Sequence, residues 1–161
     1  MKALIPAIAL GVFLSGPAFG EDAVSVTQTL ADQWGKAYTA RSADALTALY
    51  TKDAVLLPPG TERPLSGESA IHQYFAELVK QPQMQNFSAK AIEGRMTSPD
   101  AGFAAGTFGG DMSSQAAAGA SSHVMGTFLC VVAREGAGWK FRSDAWNLLP
   151  SVKPQKEAAN Q

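Results

Sequence analysis

The sequence predicts an α+β fold in which a cone-shaped, curled antiparallel sheet packs on three N-terminal helices. Two observations carry this prediction. Apolar residues recur with helical spacing in three segments before residue 83, and apolar and polar residues alternate with a period of two after it. Helices and strands separated in this way along a chain are typical of α+β proteins. Because a long meander twists strongly, we expect the sheet to curl around the helices and leave a conical cavity.

Three helices follow from the apolar spacing. The first is predicted over residues 24–40, and its apolar face consists of Val26, Leu30, Trp34, Ala37 and Tyr38. A second, shorter helix begins at the N-cap Ser42, and its inward residues are Leu46, Leu49 and Tyr50. The third helix begins at Ser66 or Gly67 and ends near Lys80, before Pro82; its apolar stripe is Ile71, Tyr74, Phe75, Leu78 and Val79.

The strands are predicted in two groups. A short strand at residues 53–57 lies between the second and third helices and is stopped by Pro58-Pro59-Gly60. A four-stranded antiparallel meander follows, over residues 87–93, 103–112, 123–135 and 139–148. The small polar segment 113–122 reads as a flexible hairpin connection, and residues 136–138 form a tight turn.

Residues 1–20 are predicted to be a signal peptide rather than part of the fold. Lys2 precedes an apolar stretch that is too short to span a bilayer, and Ala18-Phe19-Gly20 supplies the small residues of a cleavage site. Cleavage before Glu21 gives a periplasmic or secreted protein; an uncleaved membrane anchor is the alternative. The domain then covers residues 21–149, and residues 150–161 form a polar tail that we expect to be mobile.

Composition and motifs exclude several classes of function. The residues after position 20 carry 12 basic and 14 acidic side chains, so nucleic acid is not an expected partner, and no second apolar run is long enough for a membrane helix. The sequence lacks paired histidines, a cysteine cluster, a phosphate-binding loop and a Gly-x-Ser-x-Gly elbow. We therefore expect no metal and no cofactor. The single cysteine, Cys130, lies in an apolar run and is predicted to be a buried, inert thiol.

Three groups of residues are the most specific features of the chain: Ala45-Leu46…Leu49-Tyr50…Asp53-Ala54-Val55…Pro58-Pro59-Gly60, then Gly67…Ala70-Ile71, and Gly138-Trp139…Asp144…Trp146-Asn147. With the order of elements, they make residues 24–149 resemble the ketosteroid isomerase and nuclear transport factor 2-like superfamily. Within it, the chain is most similar to SnoaL-like small domains of the SgcJ/EcaC type, many of which have no assigned function.

The resemblance implies the fold and leaves two classes of function open. Members with this fold include isomerases, dehydratases, hydrolases, ligand carriers and oligomerisation domains. The first class is an exported domain with an apolar pocket for a small organic ligand, with or without proton-transfer chemistry of the isomerase, dehydratase or hydrolase type. The second class is a non-catalytic dimerisation or assembly module. The sequence alone does not decide whether the protein is an enzyme.

Asp144 is the first candidate for a catalytic residue. It interrupts an aromatic strand between Phe141 and Trp146, and a carboxylate among aromatic rings loses solvation, which raises its pKa toward a range useful for proton transfer. The SgcJ/EcaC-like domains carry an acidic residue here, and the resemblance places it in the pocket. Strict alternation instead puts Asp144 on the face of Lys140 and Arg142, where it could form a surface ion pair. A β-bulge would change that parity.

His123 is the second catalytic candidate, because a histidine can act as acid or base near neutral pH. It opens a strand beside a Ser-rich connection, so solvent exposure is the alternative interpretation. Aromatic residues of the helices and the last strand are expected to line the pocket and bind the ligand. They are Trp34, Tyr38, Tyr50, Phe141 and Trp146. Ordinary core packing is the alternative for each of them.

The outer face of the sheet is the expected partner surface. Four apolar residues share one parity on two neighbouring predicted strands, and such a face would favour a two-fold homodimer. These residues are Phe108, Phe128, Cys130 and Val132. The resemblance points the same way, because the outer sheet face commonly forms a dimer in this superfamily.

Overall fold

A computed structural model describes residues 22–113 and 121–149 and confirms the predicted α+β class. Three helices, α1 (Ala23–Thr39), α2 (Ala43–Thr47) and α3 (Glu68–Leu78), pack on one face of a single sheet. We call this the inner face and the opposite one the outer face. The strands are β1 (Tyr50–Leu57), β2 (Leu65–Ser66), β3 (Gln85–Ser98), β4 (Ala101–Ser113), β5 (Ser121–Glu135) and β6 (Gly138–Leu148).

The first two helices begin at side-chain caps. The Asp22 carboxylate accepts a hydrogen bond from Ser25 N at 2.9 Å, and the Ser42 hydroxyl accepts one from Ala45 N at 3.1 Å, so each cap satisfies a free backbone N–H of the first turn. The helix α2 ends after five residues. Tyr50, predicted within this helix, instead begins β1, and its side chain is still buried at 3% exposure.

The strand order across the sheet is β2-β1-β6-β5-β4-β3. The strands β3 to β6 form the predicted antiparallel meander. The first strand, however, pairs parallel to β6, with Leu56 opposite Asp144, and antiparallel to the short β2. Over the described part of the chain, the sheet therefore has six strands and is mixed rather than wholly antiparallel.

A β-bulge interrupts β6. Val132 pairs with Phe141 while Val131 pairs with Ser143, so Arg142 is an extra residue without a partner on β5. The extra residue reverses the alternation of side chains along the strand. Phe141 and Asp144 consequently both face the helices, although they are three positions apart.

The core lies between the helices and the inner face of the sheet. Leu46, Leu56, Ile71, Phe75 and Val132 are all fully buried there. Each large apolar side chain removed from water contributes about 1.5–3 kcal/mol, so this layer provides most of the stability of the fold. Cys130 belongs to the same layer at 1% exposure, which confirms the prediction that its thiol is buried.

One side chain of α1 covers part of the free edge of the sheet. The Gln28 side chain donates from Nε2 to Ala89 O at 3.0 Å and accepts at Oε1 from Ala91 N at 3.0 Å. The amide of Gln28 thus takes the place of a neighbouring strand along this stretch of β3. It protects the edge from pairing with another chain and fixes α1 against β3.

The four residues expected on the outer face lie on the inner face instead. Val132 is fully buried, and the Cys130 sulfur lies 3.8 Å from the Thr27 hydroxyl of α1. Phe108 and Phe128 have the same orientation. The shared parity was predicted correctly, but both faces of β5 are apolar, because Met125 and Leu129 alternate with these residues. Parity alone therefore could not tell which face the helices cover.

Some predictions concern residues that the structure does not describe. The signal peptide of residues 1–20, most of the 113–122 connection and the tail of residues 150–161 lie outside the described ranges. Within residues 22–113 and 121–149, no helix is both long enough and apolar enough to cross a membrane.

Candidate functional site

An aromatic cavity lies between α1 and the inner face of β3 to β6. It has a volume of about 80 Å³, which suffices for several water molecules or one small organic group, since one water needs roughly 10–15 Å³ measured in the same way. Six of its nine lining residues carry aromatic rings, and one carries a carboxyl group. The lining residues are Ala31, Trp34, Phe87, Ala89, Phe108, Phe128, Phe141, Asp144 and Trp146.

The bulge at Arg142 brings Asp144 into this cavity. The surface ion pair that strict alternation would favour does not form, because the bulge turns Asp144 to the inner face. Both neighbouring cations pair with other carboxylates. Arg142 binds Asp53 with 2.7 Å between Nη2 and Oδ2, and Lys140 binds Glu135 with 3.1 Å between Nζ and Oε1. The Asp144 carboxyl therefore lies in an aromatic cavity, and none of the described lining residues is basic.

One hydrogen bond from a tyrosine fixes the carboxyl group. The Tyr50 hydroxyl donates to Asp144 Oδ2 at 2.9 Å. Burial raises the pKa of Asp144 from 3.8 to about 7, while hydrogen bonds from Tyr50 and from the Ala145 backbone act in the opposite direction. At neutral pH the protonated and ionised forms are both populated, so this group can accept or release a proton.

The other titratable groups near Asp144 stay protonated around neutral pH. Burial, followed by the charge of Asp144, raises the pKa of Tyr50 well above its usual value and raises the pKa of Tyr74 to about 12. The same two causes raise the pKa of the Cys130 thiol to about 12. Asp144 is thus the group in this cluster that changes charge near pH 7.

Two glycines shape the cavity wall. Phe108 lies opposite Gly126 and Phe128 lies opposite Gly106 on the paired strands β4 and β5, so each ring faces a residue without a side chain. A Cβ added at Gly106 would lie 2.6 Å from the Phe128 ring, far inside contact distance. The glycines allow both rings to rest against the opposite strand, and this arrangement leaves the cavity open.

The structure places most of the predicted pocket residues at this cavity. Trp34, Phe141 and Trp146 line it together with Asp144, while Tyr50 reaches it through its bond to Asp144. Tyr38 does not line it: the side chain is buried in the core, and its hydroxyl accepts a hydrogen bond from Met84 N at 3.0 Å. Whether any of these residues binds a ligand remains a prediction.

His123 lies away from the cavity, contrary to its prediction as a catalytic partner of Asp144. It faces outward because it is an odd-numbered residue on a strand whose even-numbered residues, such as Cys130, face the core. Its Nδ1 is 2.9 Å from Asp111 Oδ1, and its side chain is 61% exposed. Asn86 donates to the other oxygen of Asp111 at 2.9 Å, which completes a small surface cluster.

Sequence reasoning missed several wall residues. Phe108 and Phe128 were expected on the opposite face, and Phe87, Ala31 and Ala89 were not considered as lining. The glycine opposite each of the two phenylalanines is a pattern that could have indicated the inner face, since a ring packs well against a bare backbone on a paired strand. Within the two described ranges, no group of three or more His, Cys, Asp or Glu side chains could hold a metal ion.

The family model of the SnoaL-like domain matches residues 31–140. The match covers more than half of the chain. It includes the C-terminal half of α1, all of α2 and α3, the strands β1 to β5, and the wall residues Trp34 and Phe128. The protein belongs to the SnoaL-like domain family, which confirms the resemblance predicted from sequence at this level. No functionally curated protein matches the chain.

Solved structures share the fold at low sequence identity. A ketosteroid isomerase-like protein from Erwinia carotovora atroseptica is 18% identical, with a TM-score of 0.65, over 79% of this chain and 96% of its own. A protein from Xanthomonas campestris, provisionally named as a calcium/calmodulin dependent protein kinase II association domain, is 21% identical, with a TM-score of 0.66, over 84% and 93%. An NTF-2 like protein of unknown function from Shewanella oneidensis is 16% identical, with a TM-score of 0.57, over 73% and 93%.

Proposed function

We propose that this protein is an exported domain that binds a small organic molecule in the aromatic cavity, and that Asp144 is positioned to exchange a proton with it. The single observation that carries the proposal is the Asp144 carboxyl, held by Tyr50 within an aromatic cavity. A buried ionisable group in an apolar pocket is expensive for folding, and such groups are characteristic of functional sites. The predicted signal peptide supports export to the periplasm or the medium.

The chemistry available to Asp144 is proton transfer. In its ionised form the carboxylate can take a proton from a ligand carbon, and the resulting acid can return that proton to a neighbouring atom of the same ligand. The ligand is thereby isomerised with no net change in atoms or electrons. Tyr50 keeps its hydrogen bond to Asp144 and acts as a positioning residue. Binding without chemistry uses the same cavity and needs no proton transfer.

The cavity can be tested with a variant that fills it. Ala31 lies on α1 at the wall, so Ala31→Leu should occupy the space while keeping the helix. We expect a small molecule to be detected by native mass spectrometry on the protein purified from its own host, and to be lost in Ala31→Leu. The matched control is Ala45→Leu at an exposed position of α2, which should keep the ligand.

Two outcomes would contradict binding in this cavity. One is an adduct that persists unchanged in Ala31→Leu, which would place the ligand elsewhere on the protein. The other is the absence of any adduct from wild type and of any binding to a panel of small aromatic compounds, followed by tryptophan fluorescence. Trp34 and Trp146 both line the cavity, so their emission should respond to an occupant.

A second candidate function, a homodimer through the outer sheet face, is favoured by a different observation. Large apolar side chains are exposed on that face, although they are not the four residues predicted from sequence. They are Val55, Leu57, Phe103, Met125 and Leu129, with exposures of 37–55%. An apolar patch of this kind is a typical partner surface. The assembly role given in the name of the Xanthomonas campestris relative in fold is consistent with such a dimer.

Leu129→Glu tests the dimer, because Leu129 lies near the centre of the outer face and is 55% exposed. A two-fold contact would place two such carboxylates in one apolar interface, and we expect the dimer to dissociate. The measurement is light scattering after size-exclusion chromatography. Wild type should give twice the mass of one chain, and so should Ala45→Glu, a control on the helix side of the protein. Leu129→Glu should give the mass of a single chain. A wild type that is monomeric at high concentration would end this proposal.

A further inference from the structure

The cavity has an uncompensated negative charge whenever Asp144 is ionised. Within residues 22–113 and 121–149, Asp144 is the one ionisable residue in the lining of the cavity, and the lining includes no lysine, arginine or histidine. The nearest cations along β6, Lys140 and Arg142, pair with Glu135 and Asp53. The two histidines pair with Asp44 and Asp111 on the surface. Among the residues that the structure describes, the cavity lining and the flanking part of β6 therefore offer the carboxylate hydrogen bonds but no positive charge.

The rest of the lining suits a positive charge as well. Six aromatic rings line the cavity together with the Asp144 carboxyl group, and two of them belong to tryptophans, Trp34 and Trp146. The faces of aromatic rings carry partial negative charge, and tryptophan attracts cations most strongly among the aromatic side chains. Rings that enclose a carboxylate form the combination that recognises organic ammonium groups, because they attract the charge and also bury the attached methyl or methylene groups.

We propose that the ligand of this cavity is a small organic cation, a protonated amine or a quaternary ammonium compound, whose charged nitrogen lies beside Asp144 and whose apolar part contacts the aromatic wall. This inference rests on the proposed function, because it names the ligand class for the same cavity. The cavity volume of about 80 Å³ restricts the enclosed part to a compact group. An anionic ligand would be repelled by the ionised form of Asp144, and a neutral ligand would leave the charge of that form uncompensated.

The pH dependence of ligand affinity near pH 7 should reflect the ionisation of Asp144 alone. The titratable groups that face it are Tyr50 from β1, Tyr74 from α3 and Cys130 from β5, and each keeps its proton near pH 7. A quaternary ammonium ligand has no proton to lose. Its affinity should therefore rise as the pH increases through about 7, where Asp144 ionises, and level off above that value.

The test compares cations with uncharged molecules of the same shape. The pairs are choline with 3,3-dimethylbutan-1-ol and benzyltrimethylammonium with neopentylbenzene, titrated into the protein from about pH 5 to about pH 8 and followed by tryptophan fluorescence. At the upper pH we expect at least about tenfold tighter binding of the cation in at least one pair, since burying a charge beside its counter-charge is worth that factor or more. Asp144→Asn should remove this preference and still bind the neutral molecule, whereas Asp111→Asn, a carboxylate outside the cavity, should change nothing.

The outcomes separate the ligand class from the pocket itself. If the neutral molecules bind as tightly as the cations at the upper pH, the proposal that the cavity selects cations is refuted. The proposal that the cavity binds a small organic molecule is then still supported. The same conclusion follows if cation binding does not weaken in Asp144→Asn. If neither member of either pair binds and no adduct is found by mass spectrometry, the proposed function itself fails.

Discussion

Asp144→Asn is expected to make the protein more stable than wild type above pH 7, by about 2–4 kcal/mol of unfolding free energy, since a pKa raised from 3.8 to about 7 corresponds at most to about 4 kcal/mol. Below about pH 4 the carboxyl is protonated in the folded and the unfolded chain, so this group favours neither state. Between about pH 4 and about pH 7 the unfolded chain ionises while the folded chain resists ionisation. Wild type therefore loses stability as the pH rises, and the loss is complete above the folded pKa.

Asparagine removes this penalty and keeps the shape of the site. Its side-chain oxygen can still accept the hydrogen bond that Tyr50 donates to Asp144. The measurement is urea denaturation of both proteins from about pH 4 to about pH 8, in which the difference between them should widen with pH. Asp111→Asn is the control, and we expect it to lower stability at neutral pH rather than raise it. The reason is that hydrogen bonds from Asn86 and His123 lower the pKa of the Asp111 carboxyl. Parallel curves for wild type and Asp144→Asn would mean that Asp144 is well solvated, and would remove the physical basis of the proposed site.

Gly126→Ala is expected to destabilise the protein by at least about 2 kcal/mol, the upper part of the usual range for overpacking. The added methyl group would lie well inside contact distance of the Phe108 ring and of the Asn147 backbone oxygen. The ring could turn away, but the backbone oxygen belongs to the paired strand β6 and cannot move independently. Gly106→Ala should have a similar effect, because its methyl group would meet the Lys90 backbone oxygen and the Phe128 ring.

The matched control is Gly138→Ala, at a strand glycine where an added methyl group meets nothing within 4 Å. Thermal unfolding of the three variants should show large decreases for Gly106→Ala and Gly126→Ala and little change for Gly138→Ala. Because the displaced rings would enter the cavity, ligand binding should weaken together with stability in the first two variants. A Gly126→Ala protein as stable as wild type would mean that Phe108 is not held against β5 as described.

One physical arrangement underlies these predictions, namely a carboxyl group enclosed in an aromatic cavity. It accounts for the proposed ligand class, for the stability of Asp144→Asn and for the effect of substituting the wall glycines. The protein keeps a carboxyl group in an apolar cavity at a cost in stability, which is expected where function needs that group. The aromatic wall excludes water and so makes ionisation of Asp144 costly in folding free energy. The Gly–Phe pairs hold two rings of the wall against the opposite strands and so preserve the cavity. A cationic ligand would offset the cost, since its charge would favour the ionised carboxylate.

Local patterns in the sequence predicted much of the fold and part of the site. The apolar spacing of α1 identified its buried face, and the Gly136–Gly138 turn identified the β5–β6 hairpin. Trp34, Phe141, Asp144 and Trp146, which were assigned to one pocket from the sequence, line the same cavity, and their role in binding stays a prediction. The parallel pairing of β1 with β6 was missed, because no local pattern indicates a partner about 90 residues away along the chain.

The sequence by itself determined the α+β class, the faces of the helices, the hairpin turn and the burial of Cys130, because these depend on periodicity and turn chemistry among near neighbours. Only the tertiary structure decided the face on which Asp144 lies, the inward position of Phe108 and Phe128, and the outward position of His123. The physical reason is that these outcomes depend on a bulge at Arg142 and on which sheet face the helices cover. Both are set by contacts between distant residues, such as the bond between Tyr50 and Asp144, which are 94 positions apart.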